Sequence, residues 1–244
     1  ANTSAPWVKY VDLVSGEESG GLRFYENGSV ALRTTAVPIS ADPLRLADPG
    51  QLSVPALGDL DADGDIDLLV GDELGRIFFH ENTGLPTLPR FVERTGSANP
   101  LDGDDVGYWA APVLADLDAD GDLDLLIGSY EGTFSYYANT GSAVTPAFVL
   151  RAGASSPFST IDLGVGAAPS LGDLDRDGDL DLLAGDSTSY VAYFENTGTS
   201  RLPAFVERIG AFNPLPSIIG SYKHAPALAD PDRDGDLDLL LGND

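Results

Sequence analysis

The segment ALGDLDADGDIDLLVGD, from Ala56 to Asp72, alternates aspartate with other residues and then ends in an apolar run. Within it the motif DLDADGDID, residues 59–67, holds five aspartates and one glycine. Carboxylates crowded this closely repel one another unless a cation lies between them. The segment therefore indicates two features at once, a cation-binding loop and the buried strand that follows it.

The same motif recurs with a constant period along the chain. Its first residue is Asp59, Asp116, Asp173 and Asp230 in turn, and each step is 57 residues (116−59, 173−116 and 230−173). Other features keep this step, including an aromatic pair followed by Asn-Thr-Gly and a proline before each acidic loop. A period of this size is typical of stacked supersecondary units.

The period divides the chain into one repeat domain, residues 1–244, made of five units. The first unit aligns with the others when six residues, the acidic loop, are removed from the alignment. The last unit contains only the initial hairpin. The units are a degenerate one without an acidic loop at 1–54, three complete ones at 55–110, 111–167 and 168–224, and a partial one at 225–244.

Short strand patterns fill each unit, separated by clusters of Gly, Pro and Asn-Thr-Gly. No segment keeps a helical period over three turns. Four strands in a unit of 57 residues predict an all-β protein, a β-propeller of four-stranded blades. We expect four full units, the first without a loop, plus the initial hairpin of a fifth blade, with the acidic loop between the first two strands of each blade. A β-solenoid is the alternative, although its coils are usually shorter.

The acids occupy positions 1, 3, 5, 7 and 9 of each loop, with glycine at position 6. Oxygen ligands at positions 1, 3 and 5, a backbone carbonyl at 7 and a glycine for the sharp turn describe calcium coordination. Magnesium prefers a stricter octahedron with several waters, and transition metals would normally recruit histidine or cysteine. Solvated Asp-Gly turns without metal are the alternative, and the recurrence of the loop in four copies argues against them.

We therefore predict four Ca²⁺ sites. Positions 1, 3, 5 and 9 provide side-chain ligands, and position 7 provides its backbone carbonyl. The side-chain ligands are Asp59, Asp61, Asp63, Asp67, Asp116, Asp118, Asp120, Asp124, Asp173, Asp175, Asp177, Asp181, Asp230, Asp232, Asp234 and Asp238. The carbonyl ligands are Asp65, Asp122, Asp179 and Asp236.

The overall charge agrees with this assignment. The chain has 39 acidic and 13 basic residues, a net charge of −26, and the four loops hold 20 of the acids. The other 19 acids, set against 13 basic residues, leave only −6, and four calcium ions would bring −26 to −18. This charge disfavours nucleic acid and anionic membranes as partners. The chain has no cysteine for disulfides and no apolar run long enough for a transmembrane helix.

The loop pattern D-x-D-x-D-G-x-x-D, preceded by a proline and followed by an apolar triplet and glycine, resembles the FG-GAP/VCBS repeat of integrin α-subunit propellers and of many secreted bacterial and algal proteins. The resemblance covers nearly the whole chain. It implies a β-propeller whose calcium loops join the first two strands of each blade. Integrin-type propellers have seven blades, and this chain has material for fewer than five.

The incomplete last unit leaves three ways to complete such a ring. The ring could close with five blades, continue in chain outside this sequence, or take strands from a neighbouring molecule. A ring left open would expose sheet edges, which suit self-assembly.

We expect the metal to have a structural role, because a tight acidic loop suits bracing a hairpin better than activating water. Loops of this kind fill best at about millimolar calcium, which favours a secreted, extracellular or cell-surface location. Two glycosylation sequons, at Asn2 and Asn27, agree with that location. A plain turn is the alternative for Asn27, because other repeats carry Asn-Thr-Gly at this point.

We do not expect an enzyme. Of the two histidines, His80 occupies the repeated aromatic position, where packing explains it better than catalysis, and His224 lies just before the last unit. The sequence contains no G-x-S-x-G, phosphate-binding loop or H-E-x-x-H motif. Aspartate pairs that could imitate a glycosidase dyad are already assigned to calcium.

Two binding functions remain. The first is an adhesion or scaffold module that engages another protein or a cell-surface matrix, as the family resemblance implies. The second is a calcium-dependent lectin, since sugar sites combine an aromatic platform with polar groups. Candidate ligand contacts are Tyr108, Trp109 and Tyr222, and packing between blades is the alternative for these aromatics.

Overall fold

The computed structural model describes residues 13–19, 21–25, 51–85, 89–188, 190–215, 225–230 and 234–242. These residues form sixteen strands in five antiparallel sheets, so the predicted all-β class is confirmed. The remaining regular elements in these ranges are three short 3₁₀ helices, Gly96–Ala98, Gly153–Ser155 and Gly210–Phe212. Within the described ranges, no helix has the length and apolar character needed to cross a membrane.

Three of the sheets have four strands and two have two strands. The first two-stranded sheet is β1 (Leu13–Gly16) and β2 (Leu22–Tyr25). The first four-stranded sheet is β3 (Val54–Gly58), β4 (Asp67–Gly71), β5 (Ile77–Asn82) and β6 (Phe91–Arg94). The second is β7 (Ala111–Ala115), β8 (Asp124–Gly128), β9 (Phe134–Asn139) and β10 (Phe148–Arg151). The third is β11 (Ala168–Gly172), β12 (Asp181–Gly185), β13 (Val191–Asn196) and β14 (Phe205–Arg208). The final pair is β15 (Ala225–Ala229) and β16 (Asp238–Gly242).

Each four-stranded sheet is a simple meander in which every strand pairs with the next one along the chain. Each two-stranded sheet corresponds to part of a four-stranded one. β1 pairs with β2 as β4 pairs with β5, with Gly16 opposite Leu22 and Gly71 opposite Ile77. β15 pairs with β16 as the first strand of a complete sheet pairs with the second. The 57-residue period is therefore a period of four-stranded antiparallel sheets.

The second strand of each complete sheet is buried on both faces. In β8, Leu125 and Ile127 pack with the preceding sheet, and Leu126 packs with the following one. All three side chains have 0 % exposure. Because successive side chains of a strand point to opposite faces, a strand placed between two sheets must be apolar throughout. This explains why the runs after the acidic loops do not alternate with polar residues.

The second strand of a sheet lies against the backbone of the segment that leads into the next sheet. The first strands β3, β7, β11 and β15 lie side by side in chain order. The Ala110 N–H donates to the Asp72 carbonyl at 3.0 Å, and the Ala167 N–H donates to the Ser129 carbonyl at 2.9 Å. A Cβ at Gly71, the last residue of β4, would collide with the Ala110 carbonyl, and the same contact recurs one repeat later. Glycine is required there because the segment that leads into the next sheet passes against its Cα.

The aromatic pair of the third strand packs between sheets. His80, in β5, occupies the position held by Tyr137 in β9 and Phe194 in β13, and it is only 2 % exposed. Burial lowers the pKa of its imidazole from about 6.5 to about 4. Its Nδ1 atom has no hydrogen-bond partner within the described part of the chain. A buried, neutral histidine at an aromatic position is a packing residue, as the repeat alignment predicts.

Replacing His80 with phenylalanine, the residue that β13 has at this position, should stabilise the protein most at low pH. The pKa in the folded state lies below the ordinary value, so at intermediate pH the unfolded chain binds a proton that the native state does not. Stability is therefore lost as pH falls from about 6.5 to about 4. The gain from His80→Phe in urea unfolding should be about 2 kcal/mol larger at about pH 5 than at about pH 8. The control Tyr137→Phe, which removes a group that stays protonated in this range, should show no such difference.

Candidate metal centre

The acidic loops join β3 to β4, β7 to β8, β11 to β12 and β15 to β16, the first and second strands of their sheets, as predicted. The chain turns sharply in each loop through a glycine with positive φ, at Gly64 (93°), Gly121 (100°), Gly178 (97°) and Gly235 (93°). The aspartate at position 1 holds this turn, since Asp59 Oδ2 accepts a hydrogen bond from the Gly64 N–H at 3.1 Å. The equivalent bond has the same length in the other three loops.

The turn brings carboxylates from the early loop positions together. In each of three loops, one oxygen from each of three aspartates lies within 4.8 Å of the other two. The groups are Asp59, Asp61 and Asp67; Asp116, Asp118 and Asp120; and Asp173, Asp175 and Asp177. These spacings are compatible with oxygen ligands around one divalent cation.

Several carboxylate oxygens in these loops are buried without any hydrogen-bond partner in the described part of the chain. They are Asp59 Oδ1, Asp65 Oδ1, Asp118 Oδ1, Asp122 Oδ1, Asp179 Oδ1 and Asp230 Oδ1. A buried anionic oxygen without a partner is costly, so native proteins pair such atoms or place a metal against them. The recurrence of these oxygens in all four loops is the observation that a bound cation explains.

The electrostatics of the loops point the same way. Burial, followed by the repulsion of neighbouring carboxylates, raises the pKa of Asp179 to about 6. The same two causes raise the pKa of Asp61, Asp65 and Asp122. A divalent cation between these oxygens would offset both effects, because it favours the ionised form of every carboxylate around it.

The aspartate at position 9 has a second role, at the start of the second strand. Asp124 is 1 % exposed, and its Oδ2 accepts hydrogen bonds from the Leu117 N–H at 3.1 Å and the Tyr136 hydroxyl at 3.2 Å. Its Oδ1 accepts the Asn139 N–H at 2.7 Å. Burial raises the pKa of Asp124 to about 6, and these hydrogen bonds oppose the rise. This side chain ties the loop to the second and third strands.

The asparagine of each Asn-Thr-Gly triplet extends this network outward. Asn139 Oδ1 accepts hydrogen bonds from the Gly141 N–H at 3.0 Å and the Ala147 N–H at 2.9 Å, which fixes the turn toward the fourth strand. Asn82 and Asn196 make the equivalent bonds. No role was predicted for these asparagines from the sequence. Their 57-residue period was the signal that they share a structural role.

The first loop differs from the next two in one contact. The Tyr136 hydroxyl donates to Asp124, and the Tyr193 hydroxyl donates to Asp181. The equivalent residue in β5 is Phe79, which has no hydroxyl. Asp67 therefore has no hydroxyl partner at this point, and it is the only position 9 residue that joins an oxygen group among the described residues.

These loops fit calcium. The donors are hard carboxylate oxygens, and no histidine or cysteine joins any of the oxygen groups found among the described residues. The predicted ligands at positions 1, 3 and 5 converge in the second and third loops. Three of the position 7 residues, which are predicted to act through their carbonyls, also bury a side-chain oxygen, namely Asp65, Asp122 and Asp179. In the fourth loop Asp232 lies outside the described residues, so the structure describes only part of that site.

The aromatic candidates lie at the other end of the first strands, away from the acidic loops. Tyr108 is 58 % exposed. Trp109 is half-buried and packs edge-on against Tyr130, with ring centroids 4.9 Å apart. The structure therefore brings Tyr108 and Trp109 beside a third ring that sequence analysis did not single out. Tyr222, His224, Asn2 and Asn27 lie outside the described residues.

The loop glycine should be replaceable only at a cost in stability. An alanine Cβ at Gly121 would meet no atom within 4 Å, so the penalty of Gly121→Ala comes from its φ of 100° alone. We expect a loss of about 1–2 kcal/mol in urea unfolding with calcium present. The neighbouring Ala119→Gly, at a φ of 55°, should cause no comparable loss, because that residue is already left-handed. Equal stability of Gly121→Ala and the parent protein would contradict the loop geometry.

Among solved structures, the chain is similar to an Agrocybe aegerita lectin, solved to explain specific recognition of non-reducing terminal N-acetylglucosamine. The TM-score is 0.50 at 20 % identity, and the match covers 96 % of this chain and 57 % of the lectin chain. At this identity the likeness concerns the fold, and the chain spans little more than half of the lectin's length.

The comparison with curated proteins found no match. The profile of the FG-GAP-like repeat matches three times, over residues 59–127, 116–184 and 173–241. Each match begins at the first aspartate of one acidic loop and ends in the apolar strand after the next. Together the matches cover residues 59–241, well over half of the chain, and they include every loop described above. The chain belongs to the FG-GAP-like repeat family.

Proposed function

We propose that the protein is a calcium-stabilised β-propeller that acts outside the cell as a binding module. The observation that carries the proposal is the set of buried, unpartnered carboxylate oxygens that recurs in the four acidic loops. The propeller arrangement is supported by four-stranded sheets that succeed one another with their first strands side by side. We propose one calcium ion in each loop, four in total, and blade boundaries at the unit boundaries of the repeat.

Calcium would brace each sheet through the position 9 aspartate. Asp124 contacts the loop, the second strand and the third strand, so an ion that orders the loop also orders this junction. Loops of this type fill at about millimolar calcium in extracellular modules, and this supports an extracellular location. We propose no catalytic activity, since His80 is buried in packing and the loop aspartates have a metal-binding role.

Removing calcium should lower the melting temperature. Saturation of a single site at one hundred times its Kd adds about 2.7 kcal/mol, and several sites act together. In a chain of this size we expect a loss on the order of 10 °C when EDTA replaces millimolar calcium, measured by circular dichroism. Magnesium should restore only part of the loss. An unchanged melting temperature in excess EDTA would rule out the structural role.

A ligand substitution tests the assignment of one site. Asp118→Asn changes a carboxylate whose Oδ1 is buried and unpartnered, so it should reduce by one the number of ions counted by calorimetric titration. Asp102→Asn removes the same charge from an exposed position outside the acidic loops and should leave the count unchanged. An equal ion count in Asp118→Asn and Asp102→Asn would contradict the proposed site.

For the partner, we propose adhesion to another protein or a cell-surface matrix. A rigid set of stacked sheets presents a broad surface, and the family's propellers support this use. Nucleic acid and membrane insertion are disfavoured by the net charge of −26 and by the lack of a long apolar run.

A carbohydrate ligand is the second candidate, and one observation favours it. Tyr108 and Tyr130 are 58 % and 44 % exposed, and the Tyr130 N–H donates to the Tyr108 carbonyl at 2.7 Å, so two exposed tyrosines lie on hydrogen-bonded backbone segments. Glu131 is exposed beside them. An aromatic platform next to a carboxylate is a common arrangement for sugar recognition. The lectin that shares this fold gives further support.

A glycan array, probed in millimolar calcium and in EDTA, separates the two candidates. Calcium-dependent binding to one sugar class that is lost in Tyr108→Ala would favour the lectin. The control Tyr190→Ala changes another tyrosine, which is 42 % exposed and lies in the unit 168–224, and it should keep the binding. A blank array from calcium-loaded, folded protein would favour the adhesion function, and the search would move to protein partners.

A further inference from the structure

The first strands of four successive repeats open onto one cavity of about 150 Å³, which we call the inner-strand cavity. The residue that starts each of these strands lines it, namely Val54, Ala111, Ala168 and Ala225. The acidic loops leave the opposite ends of the same strands. The inner-strand cavity is therefore separate from the proposed calcium sites.

Small side chains create the space. The four starting residues are 57 positions apart, and three of them are alanine. The wall of the inner-strand cavity is almost entirely apolar apart from Asp186 and Ser187. An apolar cavity of about 150 Å³ holds a ring the size of benzene. A sugar would find few groups here for its hydroxyls, so this cavity favours an apolar guest.

One wall of the cavity is the side chain of Trp109. Its backbone has a φ of 58°, and the equivalent residues Leu52 and Gly166 have φ values of 55° and 70°. The left-handed conformation is strained for a bulky residue, and such strain concentrates at functional sites. The contact with Tyr130 fixes the indole in place. An indole ring attracts cations through its electron-rich face.

The other distinctive wall residue is Asp186, which is 7 % exposed. Its Oδ1 accepts the Thr188 N–H at 2.7 Å and the Tyr190 N–H at 2.9 Å, and its Oδ2 accepts the Thr188 hydroxyl at 2.6 Å. The equivalent Asp72 is neutralised by an ion pair with Arg76. Asp186 forms no ion pair with any residue in the described ranges, and it is the acidic residue among those that line the cavity.

We propose that the inner-strand cavity binds a small ammonium compound whose apolar part is about the size of a phenyl ring. The apolar part fills the space between the first strands, and the ammonium group faces Asp186 and the Trp109 ring. The negative field of the whole chain draws cations toward the protein and repels anions. The site adds a ligand class that neither the calcium loops nor the exposed tyrosines would select.

Three probes of similar size and different charge test the proposal: benzylammonium, benzyl alcohol and benzoate. Trp7→Phe leaves Trp109 as the single tryptophan, so its fluorescence reports on the inner-strand cavity. Titrations are run at constant ionic strength in millimolar calcium. We expect saturable binding of benzylammonium, about tenfold tighter than benzyl alcohol, and no saturable response to benzoate.

Two variants in the Trp7→Phe background locate the binding. Asp186→Asn keeps an acceptor for the Thr188 and Tyr190 N–H groups and should make benzylammonium and benzyl alcohol bind about equally. Ala111→Val combined with Ala168→Val copies Val54 at two equivalent positions, fills the cavity and should abolish binding of both probes. Glu93→Gln removes a charge from the exposed face of β6 and should change neither affinity. Circular dichroism with calcium confirms that each variant is folded.

The outcomes are decisive in both directions. Equal affinities for benzylammonium and benzyl alcohol in the parent would overturn the ammonium assignment. Absence of saturable binding by folded parent protein would overturn the site itself. Unchanged binding by the filled variant would place the probes elsewhere and also overturn it. None of these results bears on the calcium proposal, because every titration is made with calcium present.

Discussion

The buried carboxylate at the start of the second strand is the contact on which each four-stranded sheet depends. Asp124 is held by the backbone of the loop before it and by the last residue of the third strand. The Asn139 side chain in turn accepts hydrogen bonds from the backbone of the turn before the fourth strand and fixes that turn. A single acidic side chain thus sets the relative positions of three strands and two connections. The cost of burying that charge is offset by donors from each element that it joins.

Sequence periodicity was enough to predict the all-β class, the repeat length and the place of the acidic loops between strands. These features depend on local chemistry, since alternating aspartates around a glycine and an apolar run each carry their own signal. The uniform apolar character of β8 was also predictable, because a strand covered on both faces cannot alternate. His80 was assigned to packing by its position in the repeat.

Features that depend on contacts across a sheet or between repeats were not predictable. The hydroxyl of Tyr136 bonds to Asp124 twelve positions away, and only the strand pairing brings them together. The buried side-chain oxygens of Asp65, Asp122 and Asp179 follow from the packing of the loop and not from the motif. The inner-strand cavity arises because four strands meet, and no single repeat encodes it.

The close approach at Gly71 has a consequence for how such a protein changes in evolution. Gly71 and Gly128 each end a second strand without a side chain, and the segment that leads into the next sheet passes against each of them. Gly71 and Ala110 lie within one unit, and Gly128 and Ala167 lie within the next, so a unit that is duplicated or deleted as a whole carries its junction with it. A gain or loss of any other length would break a junction. The number of repeats can therefore vary among descendants in whole steps while the architecture of each junction stays constant.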